Sequence, residues 1–226
     1  MIAANLSWGD EGVRRTDPDP GRIFWGPTAL HKETGDSSIT NFDLFVWNFD
    51  QTFNENLTVG FRTVTPIGIA VGGLTLKPSA HLSDKFHLGI WLEGGFIATL
   101  VFTDDNFGAY YLGGGPIFTF GDKERAFNVS FVSYRFGNSR GGDYILMPNI
   151  GGSIQVSDRV KLNGELIHFA RHDNAGRNWA FLYGIRIFGE KIYGDIGFVM
   201  PFTEGGVRFY RVMPLGFPLL SLGFSW

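Results

Sequence analysis

Apolar residues alternate with small or polar residues along most of this chain, and the pattern is clearest at the C-terminus. Successive side chains of an extended strand point to opposite faces, so residues two apart share a face. The same alternation recurs on both sides of the short polar turns between residues 54 and 191, which predicts strands with one apolar and one polar face. In 218–226 these faces carry Leu220, Leu222, Phe224 and Trp226 against Ser221, Gly223 and Ser225.

Five short turns separate the alternating runs, at 54–56, 83–85, 121–125, 157–159 and 189–191. Each turn joins two runs, which is the signature of a β-hairpin. We therefore predict an all-β fold of about 12 antiparallel strands. The predicted strands are 21–31, 41–53, 57–66, 70–82, 86–102, 108–120, 126–137, 144–156, 160–171, 178–188, 192–202 and 212–226.

This strand count places the five tight turns and both chain termini at the same end of the sheet. A soluble sandwich has no reason to gather its tight turns at one end, whereas outer-membrane barrels have short periplasmic turns. The opposite end would carry six connections, of which the first is 32–38. We expect residues 1–20 to form a polar, proline-broken lead-in. Residues 21–226 are then expected to form a closed antiparallel transmembrane β-barrel with short periplasmic turns.

Composition narrows the classes of protein that fit. The 226 residues include 32 Gly, 23 Phe and no Cys, which favours β structure with tight turns. The net charge of −3 excludes a general nucleic-acid binder, since no dominant basic surface is available. No apolar run is long enough for a transmembrane helix. Residues 1–5 contain no basic segment and no apolar signal core, so we expect a processed or engineered start.

Residues 21–226 resemble the bacterial outer-membrane β-barrels. The terminal aromatic Trp226 resembles the signal that the barrel-assembly machinery reads, and the segments 22–29 and 41–48, with the turn at Asn54, resemble poorly characterised barrels of Bacteroidetes-like Gram-negative bacteria. The resemblance implies an outer-membrane location, with the lipid bilayer, lipopolysaccharide and the assembly machinery as partners. Alternation alone also fits a soluble sandwich, but the terminal aromatic, the one-ended turns and aromatics near strand ends favour the membrane barrel.

Charged residues of both signs fall on the polar faces of the predicted strands. They could line a solute path or form a salt-bridged filling, because 12 strands lie between filled eight-stranded barrels and open sixteen-stranded porins. An arginine away from water is costly unless paired, so we expect Arg186 to meet Asp195 or Glu165, and Lys161 and Glu93 to find opposite charges. The predicted lumen-lining charges are Arg62, Lys77, Glu93, Lys161, Glu165, Arg186 and Asp195.

A second basic set falls near the loop end of the later strands. Arginine pairs bidentately with phosphate, so this rim is a candidate site for lipopolysaccharide phosphates. Ordinary solvated loop charge is the alternative. The rim residues are Arg135, Arg140, Arg171, Arg177, Arg208 and Arg211.

Candidate chemistry elsewhere is sparse. His81 and Ser83 resemble part of an outer-membrane lipid deacylase site, but Ser83 opens a predicted periplasmic turn and no third carboxylate follows from the spacing. The five histidines show no metal-ligand spacing, so we expect no catalytic residue, metal or cofactor. The sequence predicts a small passive, porin-like channel or a structural membrane component. The alternatives are a subunit or anchor of a larger envelope complex with a protein partner, and a lipid-modifying enzyme.

Overall fold

Antiparallel strands close on themselves in the computed structural model, which describes residues 15–65, 69–99, 108–138, 141–171, 178–202 and 215–226. Neighbouring strands pair around the ring, and β1 pairs with β13, so the sheet has no free edge. Both β9 and β10 pair with β8 and are separated only by Phe169, so they form one wall strand. The predicted 12-stranded barrel is therefore confirmed. The strands are β1 (Ser37–Phe42), β2 (Val46–Asn54), β3 (Leu57–Val64), β4 (Ile69–Ser83), β5 (Phe86–Thr99), β6 (Gly108–Gly121), β7 (Arg125–Asn138), β8 (Gly141–Ser157), β9 (Val160–His168), β10 (Ala170–Arg171), β11 (Trp179–Phe188), β12 (Ile192–Phe202) and β13 (Phe217–Ser225).

The prediction of a wall strand at 21–31 is wrong. The wall begins at Ser37, and residues 21–28 turn back on themselves, with the Ile23 N–H donating to Gly26 O at 3.1 Å. This segment lies inside the barrel, where wall side chains satisfy its backbone. Those wall residues are far away in the sequence, so the local pattern of 21–31 contains no sign of them.

The predicted strand at 41–53 is in fact two strands, β1 and β2, joined by a turn at residues 43–45. Asp43 and Leu44 adopt positive φ angles of 47° and 67°, a region that a leucine rarely occupies. The Leu44 N–H donates to Asn41 Oδ1 at 3.0 Å, which supports the turn. This split offsets the missing strand at 21–31, which is why the total was right. The predicted connection at 32–38 consequently lies at the end of the tight turns.

All five predicted tight turns are present, between β2 and β3, β4 and β5, β6 and β7, β8 and β9, and β11 and β12. The seam of the barrel closes at the same end, which we call the turn end. There the Ser37 N–H donates to Trp226 O at 3.1 Å and the Trp226 N–H to Ser37 O at 3.0 Å.

The barrel has an apolar outside and a polar inside. In β13, Leu220 and Leu222 are 55% and 65% exposed, whereas Ser221 and Ser225 between and beside them are buried. In the other strands most large apolar side chains also face outward, and most Thr, Asn and charged side chains face the lumen, which also holds a small apolar cluster around Phe24. None of the described segments is a helix long and apolar enough to cross a membrane. Exposed outward side chains include Phe49, Phe61, Leu74, Leu92, Phe131, Ile150, Leu162, Ile187 and Ile196.

Candidate functional site

Residues 15–36, which we call the plug, fill the interior of the barrel. The plug is bonded to strands all around the ring, from β1, β3 and β4 through β6 to β9 and on to β13, which only a segment inside the ring can achieve. Both of its ends lie at the turn end: Gln155 Nε2 donates to Arg15 O at 2.9 Å, and the Gly35 N–H donates to Thr52 O at 2.8 Å. Gly35 has a φ of 92°, a conformation that suits glycine and turns the chain from the plug into β1.

The tip of the plug is held by one carboxylate of the wall. Glu165 on β9 accepts backbone N–H bonds from Phe24, Trp25 and Gly26 at 3.2, 2.8 and 2.6 Å. Asn149 on β8 donates to the same carboxylate at 2.8 Å. A Cβ on Gly26 would lie 2.2 Å from both Glu165 Oε1 and Asn149 Nδ2, so only glycine allows this close approach. Within the described residues Glu165 forms no ion pair, and it holds the tip through backbone donors that all point at one anion.

An ion-pair cluster fastens the first arm of the plug. Arg186 on β11 is fully buried and donates to Asp195 on β12 at 2.7 Å and to Asp17 of the plug at 3.0 Å. It also donates to the carbonyl oxygens of Asp19 and Ile23 at 2.6 and 2.7 Å. These four contacts satisfy a guanidinium that would otherwise be costly to bury.

The same cluster extends through two further cations. Lys161 Nζ lies 2.6 Å from Asp17 Oδ2. Arg22 of the plug pairs with Asp19 at 2.6 Å and with Asp195 at 2.9 Å. Asp17 of the plug therefore pairs with two cations of the wall, Lys161 and Arg186. Asp195 of the wall pairs with Arg186 and with Arg22 of the plug. These pairs join the plug to β9, β11 and β12.

Burial and charge act in opposite directions on the plug carboxyls. Burial alone would raise the pKa of Asp17, but Arg186 and Lys161 outweigh it, and the pKa lies below its usual value. Likewise, burial opposes ionisation of Asp19, but Lys32 and Arg22 lower its pKa well below the usual range. Both groups are therefore charged at neutral pH, and each charge contributes to holding the plug.

The second arm of the plug is held by neutral hydrogen bonds and by one ammonium group. Thr119 Oγ1 accepts from the Ala29 N–H at 2.8 Å, and Lys77 Nζ donates to Leu30 O at 2.6 Å. The His31 ring bonds to Thr58 Oγ1 at 2.7 Å and to Ser79 Oγ at 2.5 Å. This arm therefore depends on β3, β4 and β6, whereas the ion-pair cluster lies on β9, β11 and β12.

A second carboxylate, Glu93 on β5, forms a separate polar cluster. It accepts hydrogen bonds from Tyr134 at 2.8 Å and from Tyr111 and Trp91 at 3.2 Å each. Arg62 lies 3.4 Å from it and donates to Asn48 Oδ1 at 2.8 Å. The Arg62 guanidinium also lies over the rings of Trp91 and of Trp25 at the plug tip, 5.4 and 5.9 Å from their centres.

Open space remains on the side of the plug that faces β1 to β5. This cavity measures about 730 Å³, including solvent-open space at its mouth, and is bordered by Trp25 and Lys32 of the plug and by Asp50, Arg62 and Trp91 of the wall. A smaller space of about 360 Å³ lies on the other side of Trp25, next to β7 and β8. The larger open space therefore lies on the β1–β5 side of the plug, and the smaller one lies next to β7 and β8.

The structure places all seven predicted lumen-lining charges on the inside of the barrel. The expected bond between Arg186 and Asp195 is present, and Glu93 meets Arg62. Lys161 also finds an opposite charge, but that charge is Asp17 of the plug. Lys77 and Glu165 bond mainly to the plug backbone, a type of partner that the side-chain pattern did not suggest.

The predicted arginine rim falls largely outside the described residues. Arg140, Arg177, Arg208 and Arg211 are not among them, nor is the Arg171 side chain. Arg135 is described: it faces outward and lies over the Tyr144 ring, 5.4 Å from its centre. The lipopolysaccharide site therefore stays a prediction.

The pair His81 and Ser83 is not assembled into a site. His81 lies 2.9 Å from His87 between their Nδ1 atoms and 3.4 Å from Glu55 O, and no hydrogen bond to Ser83 occurs within the described residues. Within the same residues no group of three or more His, Asp or Glu could hold a metal ion.

Sequence reasoning missed the plug residues Asp17, Asp19 and Arg22 and the wall residue Asp50. A signal was available for the first pair. Asp17 and Asp19 are separated by a proline and sit in a segment without period-two alternation, so buried carboxylates there required cations elsewhere, and the predicted lumen offered Lys161 and Arg186. No protein-family model matches the chain, and no curated protein matches it. The function is therefore inferred from the fold and from the lumen of the barrel.

Proposed function

We propose that the protein is an integral outer-membrane β-barrel that acts as a structural membrane component with a closed lumen. The observation that carries the proposal is the inverted polarity of the barrel: outward side chains such as Leu74, Leu112 and Leu222 are about two-thirds exposed, while Lys161, Glu165 and Arg186 are buried. A contiguous apolar outer surface of this kind is unfavourable in water and suits lipid.

The closed lumen follows from the way the plug is held. An open porin has a water-filled channel. Here a 22-residue segment enters the interior from the turn end, returns to the same end, and bonds to wall strands on all sides. For the plug to leave, buried ion pairs and hydrogen bonds with several strands would have to break together, and a buried charge left without its partner is costly. We therefore expect the native protein to be a poor conductor.

The test combines location with conductance. Cell fractionation should recover the full chain with outer membranes, and its band on a gel should shift when the sample is boiled, as a stable barrel does. Purified protein in a planar bilayer should insert and remain silent. A chain that is soluble without detergent would refute the membrane proposal, whereas stable unit steps of current would refute only the closed lumen.

A small passive channel is the second candidate, and the cavity between the plug and β1–β5 favours it. Polar side chains such as Asn48, Asp50 and Thr75 line that side of the lumen. A solute could pass along these side chains if only the part of the plug around Trp25 moved aside. Unit currents from the native protein that are abolished by a bulky substitution at Thr75 would support this candidate.

A further inference from the structure

The cavity beside the plug combines two aromatic faces with charges of both signs. Trp25 of the plug and Trp91 of β5 border it, together with Asp50, Arg62 and Lys77. Small-molecule sites are mostly apolar and carry a few convergent polar groups, and the lining of this cavity has that character.

Asp50 is the least satisfied of these groups. It lies opposite Gly60 in the β2–β3 register, and a Cβ on Gly60 would come 2.3 Å from Asp50 Oδ1 and 2.5 Å from Thr75 Oγ1. The glycine thus makes room for the carboxylate beside the threonine. Among the described residues, no basic group forms an ion pair with Asp50 within the 4.0 Å limit, although Lys32, Arg62 and Lys77 are near enough to interact electrostatically.

Lys77 and Arg62 keep donors available beside it. Lys77 Nζ donates to the backbone oxygens Leu30 O and Gly21 O at 2.6 and 3.4 Å; the described part of the chain supplies it with no carboxylate partner within 4.0 Å. An ammonium has three donors and a guanidinium five, so both groups can donate further bonds into the cavity.

Two more polar atoms lack a partner on the far side of Trp25. Ser130 Oγ and Asn149 Oδ1 are buried and make no hydrogen bond within the described structure. Both residues border the smaller space that shares Trp25, Arg62 and Trp91 with the main cavity. Buried polar groups are normally paired, so these atoms indicate that the space around the plug tip accommodates something polar.

We propose that this cavity binds a neutral monosaccharide. Sugar hydroxyls both donate and accept hydrogen bonds, so they suit Asp50 as an acceptor and Lys77 and Arg62 as donors. The C–H face of the sugar ring suits an indole face. An anion would meet Asp50, and a cation would meet the three basic groups around Asp50, so neither suits the cavity as well. This inference adds a ligand to the proposed barrel, and it concerns the lumen alone.

The test uses the full chain, folded in detergent, and titrates glucose while binding heat and tryptophan fluorescence are recorded. Glycine and inorganic phosphate serve as zwitterionic and anionic probes. The expected result is saturable glucose binding that is at least tenfold weaker in Trp91→Phe and in Asp50→Asn. Trp47→Phe, which removes an outward-facing indole from β2, is the matched control and should bind glucose normally.

Heat-modifiable gel mobility verifies that each variant is folded. The proposal is overturned if glucose does not bind, if glycine or phosphate binds more tightly than glucose, or if Trp47→Phe weakens binding as much as Trp91→Phe does. Because binding is measured in detergent, its failure leaves the membrane proposal standing, and a failure of membrane fractionation leaves the binding result interpretable.

Discussion

Arg186 and Asp17 are 169 residues apart in the sequence, yet their Nη1 and Oδ2 atoms lie 3.0 Å apart in the middle of the barrel. The pair joins strand β11, in the last quarter of the chain, to the N-terminal segment that fills the lumen. Both side chains are completely buried. The bond therefore links the plug directly to strand β11 inside the barrel.

Arg186→Met should strongly destabilise the protein. The substitution leaves Asp17 and Asp195 without their strongest partner, and breaking a buried pair in this way costs about 3–5 kcal/mol. We expect the temperature at which the band shifts on a gel to fall markedly. Lys85→Met, which removes an exposed charge from the β4–β5 turn, is the control and should have little effect. Equal stability of the two variants would contradict the role of the cluster.

Glu165→Ala should loosen the plug tip and produce current. The variant leaves the N–H groups of residues 24–26 without their acceptor, at about 1–3 kcal/mol for each buried unsatisfied group. Planar-bilayer recordings should then show openings that the native protein lacks. Glu165→Gln keeps an oxygen acceptor and should give an intermediate effect. Gly26→Ala, whose Cβ would collide with Glu165 and Asn149, should reproduce the openings by a steric route.

If Glu165→Ala inserts normally and conducts no current, the other contacts of the tip are sufficient to hold it. The Glu165 carboxylate is then not required to keep the lumen closed. The Glu55→Ala variant tests specificity, since Glu55 is exposed in the β2–β3 turn. It should be silent in every case.

The wall could be predicted from the sequence because its signals are local. Strands β11 and β12 alternate cleanly on both sides of a short turn at 189–191, which predicts that Arg186 and Asp195 face the lumen from neighbouring strands within diagonal reach. The structure brings them directly opposite each other. Period-two alternation survives in such strands because one face is apolar and the other polar throughout.

The plug could not be predicted because its environment comes from distant residues. Phe24 is buried against Ile167, Leu182 and Leu219, so it resembles a strand residue by composition, yet its neighbours lie in the last third of the chain. The tip is bonded to Glu165, at sequence separations of 139 to 141 residues. A segment with hydrogen bonds on one side and apolar contacts on the other has no regular period of apolar residues, so the sequence of 21–31 does not identify it as a plug.

The β1–β2 turn was missed for a different reason. Leu44 is 79% exposed and has positive φ, which neither its hydrophobicity nor its shape suggests. Turn prediction relies on Gly, Asn and Asp at such positions, and here only Asp43 gives that signal. The apolar letters around it made 41–53 resemble one strand.

Acidification should weaken the plug in the range where His31 titrates in the unfolded chain. Burial, together with the nearby positive groups Lys77, His81 and His87, lowers the pKa of His31 to about 3 in the folded state, against about 6.5 when unfolded. Between these values the unfolded state binds more protons, so the free energy of unfolding falls as the pH drops from about 6.5 toward 3. Asp17 and Asp19 add a further loss only below their unfolded pKa, about 3.9.

Urea midpoints measured from pH 7 to pH 4 check this. His31→Gln removes the titration and should flatten the profile, with a difference of about 1–2 kcal/mol at pH 5. Ser79→Ala removes one hydrogen bond of the ring but keeps the imidazole, so it should lower stability at pH 7 and keep the slope. An unchanged slope in His31→Gln would assign the acid sensitivity to other groups.

Leu222→Arg should separate a membrane barrel from a soluble one. Leu222 is 65% exposed on the outer face, near the middle of β13. In water an added arginine there would be harmless and would raise solubility. In a bilayer it would cost about 2–4 kcal/mol at the midplane, so insertion into lipid vesicles should fall while folding in detergent is retained. Asp84→Arg, placed in the exposed β4–β5 turn, introduces the same side chain outside the apolar surface and should insert normally. If Leu222→Arg inserts as well as Asp84→Arg, the outer face does not contact lipid and the proposed location is wrong.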